Sequence, residues 1–349
     1  MNLDQYLPPK GLWPDLLVPE EFKGLPRKLN LEEELLERHL AEGRGNQTAI
    51  YFEDYQITYS EIAEKVNRLG NGMIQVGVKA RDRVGIRMTN LPEAIITNFA
   101  ILKIGAIPVP MSPLWSRGEI TYVVNDALPK AIFVNRSLLG EVQKAQKELT
   151  SVNTFIIIND VPPEGKPKGD NYYSFDNLTE NSNDDLEPLR LERHEIAILL
   201  YTSGTGGAPK GCIHTISSVL ILSQLISQYI WDLHEGDVLA GSAPISFAAG
   251  FGAFALIPFT TRGAISLLPK FSPEALMRNI ERHKATVLTG LPTAYRKMLE
   301  AEHFEEYDLS GLRLCTAGGD ALGQNTFDGW LAKTGLPIWE NYASTELYN

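Results

Sequence analysis

Cysteine is nearly absent: Cys212 and Cys315 are the only two. Two thiols are too few for a disulfide framework or a thiolate zinc site. The fold must therefore rest on its core, with both thiols expected buried and inert. Basic charge is in deficit, with 32 Lys and Arg against 43 Asp and Glu, a net charge of −11. That sign excludes nucleic acid and anionic lipid as partners held by charge alone. Met1 to Pro14 lack a basic region followed by an apolar core, so no signal peptide is expected and a cytoplasmic location fits. Val238 to Thr261 carries no charge and is long enough to span a bilayer. Pro244, Pro258 and several glycines interrupt it, so a buried core segment is expected and not a membrane helix. The 349 residues are 44% hydrophobic and 21% charged, the balance of a folded protein with a substantial core.

Apolar runs alternate with helix patterns. Asn30 caps a helix with Glu32 to Glu34 in its first turn. Thr48 to Phe52 and Gln56 to Tyr59 flank Glu53-Asp54-Tyr55 as a hairpin. An amphipathic helix from Ser60 to Gly77 shows Ile62, Val66, Leu69 and Met73 on one face. Arg83 to Met88, Ala106 to Pro110, Ala131 to Val134 and Phe155 to Ile158 read as strands. Pro92 opens one intervening helix, and a capping box at Ser116 and Glu119 opens another. Asn159 to Arg193 is polar and acidic and reads as a surface excursion. Further strands are expected at 196–201, 238–242, 264–268, 285–289, 312–316 and 337–342. The alternation predicts an α/β protein of two stacked, doubly wound, mostly parallel sheets. The first subdomain is expected at 1–190 and the second at 191–349.

The richest stretch is Tyr201-Thr202-Ser203-Gly204-Thr205-Gly206-Gly207-Ala208-Pro209-Lys210-Gly211. A strand ending at Tyr201 precedes it and a helix from Ser217 to Ile230 follows. Glycines let a ligand approach the backbone, peptide N–H groups in one concavity bind oxyanions, and the hydroxyls and Lys210 add donors and charge. A polyphosphate held over a strand end is the expected occupant. The Walker pattern fails, because Lys210 lacks the Ser or Thr that should follow it. The spacing of Gly204, Gly206, Gly207 and Gly211 also fails Gly-x-Gly-x-x-Gly.

This stretch resembles the phosphate loop of the acyl-adenylate-forming superfamily, Thr/Ser-Ser-Gly-Thr-Thr-Gly-x-Pro-Lys-Gly, with Gly206 where a second hydroxyl residue is usual. Ile57-Thr58-Tyr59-Ser60-Glu61 and Lys103-Ile104-Gly105-Ala106-Ile107-Pro108-Val109-Pro110 resemble two earlier elements of that family. Ser242-Ala243-Pro244-Ile245-Ser246-Phe247-Ala248-Ala249-Gly250 resembles the element whose aromatic gates the acyl pocket. The aromatic here is Phe247, where many members carry His. Thr316-Ala317-Gly318-Gly319-Asp320-Ala321-Leu322 is similar to the strand-end loop that lines adenine and acyl sites. Asp320 reads equally well as a helix cap. Asn341-Tyr342-Ala343-Ser344-Thr345-Glu346 resembles the Tyr-Gly-x-Thr-Glu element, with Ala343 in place of glycine. Together these cover the chain from Ile57 to Glu346, and Pro292 to Arg296 adds a likeness to benzoate- and 2-aminobenzoate-type CoA ligases.

The resemblance implies activation of a carboxylic acid by ATP as acyl-AMP, then transfer to coenzyme A. It implies ATP or AMP at Thr202, Ser203, Gly204, Thr205, Gly206, Gly207, Lys210, Gly318, Gly319, Asp320, Asn341, Tyr342, Ala343, Ser344 and Thr345. It puts Lys210, Thr345 and Glu346 at the chemistry, with Mg²⁺ on Glu346. The acyl pocket falls at Phe247, Ala248, Gly250, Gly318 and Tyr342, with small Ala248, Ala249 and Gly250 leaving room for a flat ring. The partner is a small-molecule carboxylic acid, not nucleic acid or membrane; a homodimer is left open. The family continues past the Thr-Glu element into a small barrel and a mobile lid domain bearing an assisting lysine. The present sequence is accordingly expected to be an N-terminal portion with weak nucleotide binding and poor turnover. Two alternatives stand beside this: a carrier-protein-loading adenylation domain, and a non-catalytic nucleotide-binding paralogue. Against the first, Ala248 follows Phe247 where an amino-acid-activating domain carries Asp.

Overall fold

The computed structural model describes residues 20–159, 171–202 and 207–347. The first strands are Lys28–Leu29 (β1), Thr48–Phe52 (β2), Tyr55–Thr58 (β3), Arg83–Arg87 (β4), Ile107–Pro110 (β5), Ala131–Asn135 (β6), Thr154–Ile158 (β7), Tyr172–Ser174 (β8) and Leu191–Glu192 (β9). The remainder are Ile196–Tyr201 (β10), Gly211–Thr215 (β11), Val238–Gly241 (β12), Ala264–Leu267 (β13), Val287–Gly290 (β14), Leu314–Gly318 (β15) and Ile338–Asn341 (β16).

Two larger sheets result. One is parallel throughout, in the order β5-β4-β6-β7-β8. The other runs β16-β15-β14-β12-β13-β2-β3 and is parallel except for the β2–β3 hairpin at its edge. In each, the strand order reverses once, around β4 and around β12. An α/β sheet opens its ligand crevice at the carboxyl ends of strands beside such a reversal. The mostly parallel, doubly wound architecture expected from the alternation is therefore present.

Three local expectations change. The hairpin at 48–58 lies in the first half of the sequence but pairs with β13 of the second sheet, so the chain crosses a boundary drawn at 190. The polar stretch after Ile158 is not wholly an excursion. Its Tyr172 to Ser174 add the fifth strand of the first sheet, and helix Phe175–Glu180 seats Phe175 and Leu178 in the core. Finally, β11 comes between the Gly-rich stretch and its helix and pairs antiparallel with β10. The loop is thus the tip of a hairpin, and the helix Ile216–Leu225 starts at the hairpin's far end.

Two apolar segments join the sheets. Nearly every residue of helix Pro92–Lys103 is buried, which its low amphipathicity requires. The uncharged run packs as short helical pieces, with Phe251, Phe254, Leu256, Ile257 and Phe259 all buried. Phe259 meets Phe99 edge-on at 5.0 Å and Tyr59 at 5.8 Å, while Tyr59 Oη donates to Gly263 O at 2.8 Å. Among the described residues no helix is long and apolar enough to cross a membrane.

Candidate functional site

The carboxyl ends of β12, β14, β15 and β16 form one row. Register pairs Gly241 with Thr289, Gly290 with Ala317, and Gly318 with Asn341. Glycine is required at Gly241, where backbone stands in the way, and leaves close side-chain packing at Gly318. A Cβ on Gly241 would stand 2.1 Å from Thr289 O, and one on Gly318 would stand 2.8 Å from Asn341 Nδ2. Gly319 takes φ +85°, which a side chain disfavours. Beyond the row, Tyr342 is 93% exposed, a bare aromatic face at the strand ends. Asp320 Oδ1 accepts from Ala321 N at 2.9 Å, while the next helix starts at Gln324 with Gly323 as its N-cap. Asp320 is therefore not that helix's cap.

The Gly-rich stretch connects β10 to β11. Ser203, Gly204, Thr205 and Gly206 lie outside the described residues. Its base is closed by Thr202 N donating to Lys210 O at 3.0 Å and by Lys210 N donating to Thr202 Oγ1 at 3.3 Å. Gly207 and Lys210 are exposed. On the strand before the loop, Tyr201 Oη donates to Asp126 at 2.6 Å and ties β10 to helix Arg117–Ala127.

One side chain that sequence reasoning did not single out ties β11 to the Thr-Glu element. His214 of β11 is buried, and its Nε2 lies 2.9 Å from Thr345 O. A carbonyl only accepts, so Nε2 carries the proton. Burial, the larger effect, holds the imidazole below its ordinary range despite that bond. The Cys212 thiol, on the same strand, is pushed up first by burial and then by the Glu346 carboxylate, and pulled down by Lys210. Cys212 is only partly buried, unlike the expectation, while Cys315 is fully buried with its thiol pushed up to about 12.

The Ser242–Phe247 turn continues β12. Phe247 N donates to Pro244 O at 3.1 Å, and Phe247 is the N-cap of helix Ala248–Phe251. A Cβ on Gly250 would fall 2.0 Å from Pro244 O. The space at Gly250 is therefore taken by the turn itself and is not free for a ring; Ala248 is buried and Ala249 exposed. The hydroxyls of Ser242 and Ser246 have no hydrogen-bond partner among the described residues.

Among the described residues no group of three or more His, Cys, Asp or Glu forms a metal cage. Magnesium on a nucleotide needs no cage, since one or two carboxylates plus phosphate oxygens suffice. The exposed Glu346, next to Thr345, fits that demand.

Parallel strands that end together at a reversal of order, with glycines clearing the backbone, are the ligand crevice of a doubly wound α/β protein. Residues 36–348 match the family of AMP-binding enzymes, and the chain belongs to that family. Two curated relatives are benzoate–CoA ligase and 3-hydroxybenzoate–CoA/4-hydroxybenzoate–CoA ligase, both of Thauera aromatica. The first is 26% identical over 93% of this chain and 60% of its own length, the second 28% over 92% and 60%. The crystal structure of the anthranilate CoA ligase AuaEII in complex with anthranoyl-AMP superimposes with a TM-score of 0.88. It shares 28% identity over 94% of this chain and 62% of its own. The chain thus spans about 60% of the length of the curated relatives it matches.

Proposed function

We propose that this chain binds ATP and a carboxylic acid, aromatic in character, for joining as acyl-AMP, the acyl group then passing to the thiol of coenzyme A. The observation that carries the reading is the His214–Thr345 bond, which holds the Gly-rich hairpin against the Thr-Glu element. The acid's carboxylate attacks the α-phosphorus and pyrophosphate leaves. Two anions must meet, so the protein's work is positioning and neutralisation of charge. The 202–210 loop and Lys210 hold the β- and γ-phosphates, and Thr345 donates to an α-phosphoryl oxygen. Adenine lies between Tyr342 and the Gly318–Asp320 backbone. Glu346 would hold magnesium, which would supply neutralisation of the phosphate charge. Phe247 and Ala248 face the acid. The names of the similar ligases support an aromatic substrate, and the absence of an acidic residue after Phe247 supports an acid without an ammonium group.

Titration with benzoyl-sulfamoyladenosine, a stable acyl-AMP mimic, tests the reading. The mimic is expected to bind at least tenfold more tightly than AMP, about 1.4 kcal/mol. A phenylalanyl analogue that gains as much over AMP would favour the carrier-loading alternative. No gain from either would remove the acid site.

A further inference from the structure

The reversal points of the two sheets touch each other, and one side chain joins them. Asn90 lies just beyond the carboxyl end of β4, in the segment that leads into helix Pro92–Lys103. It is 7% exposed. Its Nδ2 donates to Ala243 O at 3.0 Å, and its Oδ1 accepts from Ile245 N at 2.9 Å. Both partners belong to the turn that follows β12 in the other sheet. A carboxamide offers a donor and an acceptor side by side; a carboxylate lacks the donor, and an alkyl chain lacks both.

The remaining contacts give this bridge a purpose. From the first sheet, Thr89 N donates to Asn135 Oδ1 at 2.9 Å, which fixes the backbone just before Asn90. Within the second, Gly250 packs against Pro244 O and Phe247 N closes back on the same oxygen. The turn is therefore held from outside at 243 and 245 and from inside at 244. Phe247 is two residues beyond the outer clamp. The nucleotide elements hang on other supports: the β10–β11 pairing, the β15–β16 pairing and the His214–Thr345 bond. The bonds to Ala243 and Ile245 do not involve them.

We propose that Asn90 is a positioning residue for the acid: through Ala243 and Ile245 it sets where Phe247 stands, and so sets affinity for the acyl part of the adenylate and not for the nucleotide part. This rests on the reading of the Ser242–Phe247 turn as the wall of the acid site. Asn90 acts through these two backbone partners.

The test compares Asn90→Ala and Asn90→Asp with the unaltered chain, each titrated with AMP and with benzoyl-sulfamoyladenosine. Asn90→Asp keeps the shape and an acceptor for Ile245, which guards against loss of folding in Asn90→Ala. AMP affinity is expected to stay within about twofold in both, while the mimic weakens by about tenfold or more in Asn90→Ala, roughly the loss of two buried hydrogen bonds, and by less in Asn90→Asp, which loses one. A residue that merely held the fold would weaken both ligands together, and that result overturns the proposal. So does an unchanged preference for the mimic in both variants when the unaltered chain shows one. If the unaltered chain binds the mimic no better than AMP, the acid-site reading falls first and this inference with it.

Discussion

Lys210 is an exposed cation at the mouth of a hairpin whose base is closed by hydrogen bonds to Thr202. Among the described residues its side chain makes no hydrogen bond or ion pair, so its removal is expected to separate binding from stability. Lys210→Ala is expected to weaken Mg-ATP by about tenfold or more, the value of a charge-assisted hydrogen bond of roughly 1.5–3 kcal/mol. Calorimetric titration reads this, and the melting temperature is expected to hold still. Unchanged affinity would remove Lys210 from the phosphate site. His214 belongs to the same scale but escaped sequence reading. A histidine two residues past a cysteine on a short strand gives no signal of its own. Its partner, Thr345 O, lies far along the chain and is brought near only by tertiary packing. Asn90 was hidden for the same reason, since its bonds go to backbone atoms in the other sheet. The loop, the Gly318–Gly319 pair and the Thr-Glu element stand out in the sequence because their residue types suggest the chemistry themselves.

At the scale of elements, the turn after β12 shows how a motif misleads when read by size alone. Gly250 suggests room, yet Pro244 O fills it. Gly250→Ala is expected to destabilise the chain by about 1–3 kcal/mol in urea unfolding, the usual cost of overpacking. A neutral effect would mean that the space is free after all. A second case joins the helical segment at 31–41 to helix Pro92–Lys103. Lys103 is fully buried, lies 3.5 Å from Glu32 Oε1 and also pairs closely with Glu37. Glu32 Oε2 has no partner among the described residues, and burial pushes the Glu32 carboxyl up to about 8, against the pull of Lys103. The folded chain then binds this proton more tightly than the unfolded chain. The resulting stability is fully present below the ordinary carboxylate range and is lost as pH rises through about 8. Glu32→Gln stays neutral at every pH. Its stability relative to the unaltered chain is expected to rise between about pH 5 and 8 in urea titrations. A constant difference across that range would contradict the assignment. Most of the strands were readable as apolar runs between turn signals. The exceptions were β1 and β9, two residues each, β8, a three-residue Tyr-Tyr-Ser, and β11, whose Gly-Cys-Ile-His-Thr shows no clear alternation. All four are defined by the strand beside them, which local pattern does not encode.

For the whole molecule, the two sheets are organised so that their reversal points face one another across Asn90, with Phe99, Tyr59 and Phe259 packed between the layers. The clean division at 190 was not to be had from the sequence, because the 48–58 hairpin looks like any local hairpin until β13 is seen beside it. Crystals grown with benzoyl-sulfamoyladenosine and Mg²⁺ test the central claim most directly. The expected density has adenine between Tyr342 and the Gly318–Gly319 backbone, the sulfamate within reach of Thr345, and the benzoyl ring against Phe247. A ligand bound away from the strand ends of β12, β14, β15 and β16, with Glu346 and Phe247 both untouched, would contradict it.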